Sequence, residues 1–116
     1  MFTMSHYHDV IDDLKGPTRD FRRSIPETWA AFTKLHESAV AALPVKVKEL
    51  VALAISVVKQ CDGCIAYHAK AAAMQGASSQ EVAEVLGVAL LMDGGTASVY
   101  GPRAWSAFTE FTSAGQ

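Results

Sequence analysis

Cys61 and Cys64 stand three apart in a chain with no other cysteine, and His68 follows four residues after the second. On a helix these positions are i, i+3 and i+7, so their side chains project from one face. Cys61 falls at or just before a predicted helix start and Cys64 in its first turn. There, backbone N–H groups without intrahelical partners and the helix dipole favour negative charge. The thiolate is the reactive form of cysteine, and both a helix N-terminus and a neighbouring imidazolium lower a thiol pKa. His68, one turn after Cys64, is placed to accept its proton, and Cys61 is near enough to close a disulfide on Cys64. Gly63 removes side-chain bulk beside both sulfurs, whereas a carboxylate at Asp62 disfavours a thiolate. Two cysteines this close do not staple a fold, so the pair reads as redox-active or metal-binding. Which sulfur attacks is open on these grounds: the dipole favours Cys61, the i+4 contact with His68 favours Cys64.

A carboxylate completes the set. The helix predicted over 45–60 and the one from Cys61 onward are joined by almost nothing, so they pack as an antiparallel hairpin. At 1.5 Å per residue, Glu49 lies roughly 16–18 Å below the turn and His68 roughly 10 Å below it. The difference of about 6 Å is within reach of two side chains and one water. A partly buried Glu49 needs a partner, and it could hold the imidazole tautomer or relay its proton. The plainer reading is an exposed Lys46–Glu49 ion pair.

The elements that position these residues are helical throughout. Alanine is abundant and no alternating β-branched run marks a strand. Residues 6–15 form a short helix that Gly16-Pro17 closes, with an irregular turn over 19–23. Ser24-Ile25-Pro26-Glu27 reads as a capping box, followed by a stripe of Trp29, Phe32, Leu35, His36, Ala39, Val40 and Leu43 that Leu43-Pro44 ends. The helix over 45–60 is apolar nearly all round, which places it centrally or between subunits. Gly76 stops the cysteine-bearing helix and Ser78-Ser79-Gln80-Glu81 caps the next. Asp93-Gly94-Gly95 ends that one, and 96–111 forms a last helix, kinked or interrupted at Gly101-Pro102. The fold class is all-α, a single domain over 1–116 with five to six helices and the cysteine pair on a central hairpin.

Composition narrows the function. The chain has 116 residues, half of them apolar and 19% charged, which excludes disorder and points to surface covered by further copies. A net charge of −2, with no basic block longer than Arg22-Arg23, argues against nucleic acid. Lys46, Lys48, Lys59 and Asp62 interrupt the greasiest region, so no membrane span is expected. The first six residues lack the pattern of a signal peptide, and the expected location is cytoplasmic. Asp93-Gly94-Gly95-Thr96 lacks the lysine and preceding strand of a phosphate loop.

Lys48-Glu49-Leu50-Val51-Ala52-Leu53-Ala54 followed by Lys59-Gln60-Cys61-Asp62-Gly63-Cys64-Ile65-Ala66-Tyr67-His68 resembles the carboxymuconolactone decarboxylase superfamily, in particular its alkylhydroperoxidase D-like branch. Gly94-Gly95 and Val99-Tyr100-Gly101-Pro102-Arg103-Ala104 are also similar to small members. The resemblance covers about 26–112, leaving 1–23 as an N-terminal helical extension. A Glu twelve residues ahead of Cys-x-x-Cys with a His four residues after it is far more specific than Cys-x-x-Cys alone. The resemblance implies a thiol-dependent peroxidase, with Cys64 attacking a hydroperoxide, Cys61 resolving, and His68 and Glu49 as proton relay. It implies no cofactor, an external dithiol reductant such as a lipoyl-carrying protein, and a homo-oligomer, trimer or hexamer. One departure stands out: alkylhydroperoxidase D has a second histidine where this chain has Gly63.

Other readings compete. Cys61, Cys64, His68 and Glu49 carry acceptable zinc ligands, although a single helix face makes a poor tetrahedral cage. The cysteines could pack inertly in a structural oligomeric module. The same scaffold could run a non-redox, decarboxylase- or lactone-type reaction with His68 and Glu49 as acid and base. His6 and His8 are expected to be solvated near a frayed terminus, and His36 packed or at an interface. Tyr67 points away from His68, and Tyr100 and Met92 are candidates for an access channel.

Overall fold

The computed structural model describes residues 6–38 and 42–114. Among them are six helices: α1 (His6–Ser24), α2 (Pro26–Ser38), α3 (Val45–Val58), α4 (Asp62–Met74), α5 (Ser79–Asp93) and α6 (Ala97–Ala114). No strand occurs among the described residues, as the all-α reading requires. Helices α3 to α6 form the core, with α3 paired most extensively to α4, and α6 packed on both α4 and α5. Leu50, Leu53 and Val57 of α3 meet Ile65 of α4, Val82 and Leu86 of α5 and Phe108 and Phe111 of α6 in one buried cluster. Ala66, Ala69 and Ala72 of α4 and Ala104 and Ala107 of α6 are also buried. Small side chains at these contacts set how closely two helix axes can approach.

The hairpin that carries the cysteines is made by a tight C-terminal turn. The N–H of Cys61 donates to the Ser56 carbonyl (3.1 Å) and that of Gln60 to the Val57 carbonyl (3.1 Å). This is the paired bonding of a Schellman motif, and it needs a left-handed residue at Gln60, whose φ is 55°. Cys61 then takes extended backbone as the N-cap of α4. One residue therefore ends the turn of α3 and begins α4. The same motif, with Gly76 at φ 79°, closes α4: Gly76 donates to Ala73 (3.1 Å) and Ala77 to Ala72 (3.0 Å). The Ser78–Glu81 capping box forms as expected.

Four expectations fail. Gly16-Pro17 does not close α1, which runs on through the expected turn at 19–23. Pro17 lacks the N–H that would reach Asp13, but both residues are exposed, so water can satisfy the unused carbonyl. Ser24 is not an N-cap. Only Ile25 separates α1 from α2, so Ser24 stays helical and its hydroxyl donates backward to the Asp20 carbonyl (3.0 Å). Helix α2 does not run to Leu43: it is described over Pro26–Ser38, residues 42 and 43 form a bend, and Ala39 and Val40 of its expected stripe lie outside the described residues. Helix α6 is not interrupted at Gly101-Pro102, where Pro102 lies exposed within a continuous helix.

Helix α2 buries none of its residues. Phe32 and Leu35 of its apolar stripe remain 58% and 65% exposed. On α3, Val51, Ile55 and Val58 form a second exposed apolar row at helical spacing.

Candidate active site

Helix α4 presents its N-terminus through the two cysteines. Cys61 Sγ accepts the N–H of Cys64 (3.2 Å), filling one of the unpaired donors of the first turn. Cys61 and Cys64 are joined as a disulfide with Cα atoms 5.2 Å apart, and both are half-buried. They stand one helical turn apart in sequence, which brings the two sulfurs to the same end of α4.

One and two turns further in lie the imidazole and the acid. His68 Nδ1 is 2.8 Å from Glu49 Oε2, a direct bond across the α3–α4 hairpin with no need of a water. Glu49 is 3% exposed. Lys46 does not pair with it but reaches across to Glu81 on α5 (3.0 Å). An ionised carboxylate only accepts, so the bond fixes Nδ1 as the protonated nitrogen and leaves Nε2 as the basic one. The acid is not held by His68 alone. Its other oxygen lies 3.6 Å from Lys48 Nζ and 3.8 Å from Nε2 of His36, and Lys48 Nζ is itself 3.2 Å from His36 Nε2. A buried carboxylate beside an ammonium and two imidazoles has the partners its burial demands.

Sequence reasoning missed Lys48 and His36. Lys48 adjoins Glu49 in the chain, a signal that was available; His36 reaches the site from α2 and nothing local marks it. These residues border a cavity of about 300 Å³ lined by Phe32, Leu35, His36, Lys48, Glu49, Ala52 and His68. Neither cysteine lines it, and neither do Tyr100 or Met92. The four predicted residues thus fall into two groups, the disulfide at the tip of the hairpin and the Glu49–His68 pair facing the cavity. Among the described residues no three His, Cys, Asp or Glu side chains gather as a metal cage, so the zinc set of Cys61, Cys64, His68 and Glu49 is not assembled.

His6 and His8 depart from expectation, since neither is simply solvated. His6 Nε2 lies 3.2 Å from Asp62 Oδ2 in the first turn of α4. The His8 ring pairs with Glu110, a buried residue of α6 whose carboxylate also accepts the N–H groups of Tyr7 (3.2 Å) and His8 (3.0 Å). A carboxylate at the start of α1 both fills orphan donors and complements the dipole. That anchor holds α1 against the tip of the hairpin.

Three comparisons place these observations among known proteins. Residues 26–111 match the carboxymuconolactone decarboxylase family. The chain is 35% identical over 85 residues to an uncharacterised protein of Cupriavidus necator, covering 72% of this chain and 75% of the other. It is 32% identical over 99 residues to uncharacterised protein 4 in the cox locus of Paracoccus denitrificans, covering 85% and 88%. It is also similar to the crystal structure of an apo carboxymuconolactone decarboxylase family protein from Legionella pneumophila, with a TM-score of 0.90 at 35% identity, covering 93% of this chain and 98% of that one. Because the sequence match takes in α2 through most of α6, and the structural likeness extends over nearly the whole chain, this protein belongs to the carboxymuconolactone decarboxylase family.

Proposed function

We propose that the protein is a thiol-dependent peroxidase or disulfide oxidoreductase, of the alkylhydroperoxidase D-like branch of its family. One observation carries the reading: a buried Glu49 bonds His68 one turn beyond a Cys-x-x-Cys pair that caps a helix and closes as a disulfide. In the reduced protein His68 Nε2 takes the Cys64 proton. The Cys64 thiolate attacks one oxygen of a hydroperoxide, the O–O bond breaks, and Cys64 becomes a sulfenic acid. The departing alkoxide takes the proton from His68 and leaves as the alcohol. The Cys61 sulfur then attacks Cys64 Sγ, forming the disulfide, and the expelled hydroxide leaves as water with the Cys61 proton. An external dithiol, for which a lipoyl group on a carrier protein is the class we favour, returns both electrons by exchange. Such a cycle belongs in a reducing compartment such as the cytoplasm.

The experiment is a thiol count on reduced protein before and after one equivalent of hydroperoxide. Two thiols per chain should disappear in the native protein. Cys64→Ser should lose none of its remaining thiol, and Cys61→Ser should accumulate a sulfenic acid. A count unchanged by peroxide refutes the proposal.

A second reading has an observation of its own: the cavity takes in Glu49 and His68 but neither sulfur. A non-redox reaction on a small carbonyl or lactone would use His68 as base with Glu49 orienting it. Turnover of such a substrate that survives replacement of both cysteines by serine would establish it; loss with the cysteines returns the assignment to thiol chemistry.

We also propose a homo-oligomer, supported by the exposed apolar rows on α2 and α3.

A further inference from the structure

The tip of the hairpin is covered by a helix outside the family match. Helix α1 packs on α4 and α6. Its Leu14 Cδ1 lies 3.4 Å from where a Cβ on Gly63 would stand, so the position between the cysteines faces α1 rather than open solvent. From the first turn of α1, two side chains converge on Asp62, the residue directly after Cys61. His6 Nε2 takes Oδ2 at 3.2 Å. Oδ1 is fully buried, as is the Tyr7 hydroxyl, and the Asp62 charge is felt at Tyr7. Tyr7 is itself fully buried, and burial first, then the Asp62 charge, pushes its pKa well above the ordinary phenol range. It therefore stays neutral beside the carboxylate, and its hydroxyl can serve as a donor.

We propose that His6, acting through Asp62, sets the acidity of the Cys61–Cys64 dithiol. A carboxylate one residue from Cys61 and two from Cys64 repels a thiolate on either sulfur. An imidazole N–H on Oδ2 disperses that charge. Arg103 and Glu110 of α6 also act on this cluster, through Tyr7. Glu110 is occupied by the Tyr7 and His8 N–H groups and the His8 ring, which fixes α1 in position over the tip. His6 and Asp62 are positioning residues, since neither needs to touch a substrate. The inference rests on reading the cysteine pair as a working dithiol. It extends that reading by giving the N-terminal helix a part in the chemistry.

The test is the pH profile of iodoacetamide alkylation on fully reduced protein, each cysteine followed by mass spectrometry. His6→Leu, which removes the N–H on Oδ2, should move the midpoint upward, slowing alkylation about threefold at a fixed pH below it, as a carboxylate left with its full charge in a wet, half-exposed setting implies. Asp62→Asn should move the midpoint down. In the Asp62→Asn background, His6→Leu should have no further effect, because the group it acts through is gone. His6→Gln, whose amide can donate to the same oxygen, should keep the midpoint near the native one. A His6→Leu shift carried undiminished into the Asp62→Asn background would mean a structural effect of His6 and would overturn the proposal, as would a native midpoint in His6→Leu. Should His6→Leu fail to fold, Asp62→Asn decides alone, and a midpoint that does not fall refutes the idea. Alkylation needs no peroxide. A protein that shows these shifts but does not consume hydroperoxide would lose the peroxidase reading and keep this one.

Discussion

Replacing Glu49 by Gln preserves the shape of the acid and removes its charge. In the native protein the carboxylate can only accept, so the 2.8 Å bond to His68 admits one tautomer, with the proton on Nδ1. Glutamine can accept through its oxygen or donate through its nitrogen, so the constraint is lost. A hydrogen bond to a charged group contributes about 1.5–3 kcal/mol against roughly 0.5–1.5 for a neutral pair, a difference of about 1.2 kcal/mol. That corresponds to about tenfold in the preference for the productive tautomer, and to a similar loss in any rate that needs a basic Nε2. The fold should tolerate the change, because the amide stays within hydrogen-bonding distance of His68 and no longer has to be held as a buried charge. The assay has two parts. Nitrogen-15 correlation spectra of His68 should show protonated Nδ1 in the native protein and a mixture in Glu49→Gln, and single-turnover thiol loss on adding hydroperoxide should slow about tenfold. An unchanged tautomer together with an unchanged rate would refute the relay. An unchanged tautomer with a slowed rate would place the contribution of Glu49 in its charge rather than in orienting the ring.

Three further outcomes test the supports of the site. Gln60→Gly should raise stability by about 0.5–1 kcal/mol in urea unfolding, since the left-handed backbone at φ 55° costs an L-residue more than glycine loses in chain entropy; no gain would show that this turn is held by something other than its backbone. Glu110→Ala should cost about 2–3 kcal/mol in the same measurement, because it strips the N–H groups of Tyr7 and His8 and the His8 ring of a buried partner; a loss below about 0.5 kcal/mol would mean α1 is held by apolar contact alone. Tyr7 has a pKa raised by burial and by Asp62, so the folded state keeps a proton that the unfolded chain gives up near pH 10. Its contribution is complete below that pH and lost as pH climbs toward the folded value. Native protein should therefore lose stability between pH 9 and 11 more steeply than Tyr7→Phe, and parallel curves would contradict this.

What the sequence disclosed follows the range of the interactions. Cys61 at the start of α4, the stop at Gly76 and the Ser78–Glu81 box depend on three to six consecutive residues, and local rules place them. The approach of Glu49 to His68 was also legible, because two helices joined by three residues leave only one register and the rise per residue fixes the heights. What stayed hidden depends on distant partners. Nothing near His6 marks Asp62, and nothing near His8 marks Glu110, which stands at the other end of the chain. The break at Gly16-Pro17 was a sound local inference that tertiary docking overrode: Tyr7 and Ile11 anchor the first half of α1, and exposure makes the missing hydrogen bond cheap. Ser24 illustrates the same limit from the other side, since a capping signature is ineffective when the preceding helix has not yet ended.

The exposed apolar rows lead to a last expectation. Helix α2 buries nothing within the chain, and Val51, Ile55 and Val58 of α3 lie on the outside of the core. Polar surface would need no cover, but apolar side chains in helical register do. A second copy laid against α2 and α3 would also close over Phe32 and Leu35, which line the cavity holding Glu49 and His68, so assembly and the dryness of the acid–base pair would be coupled. Ile55→Asp should therefore lower the mass found by sedimentation velocity, and a deuterium exchange measurement should show faster exchange in α2 as subunits separate. A native protein that sediments as a monomer at micromolar concentration would refute the coupling outright, because the cavity would then be bounded by α2 with no partner to hold it in place.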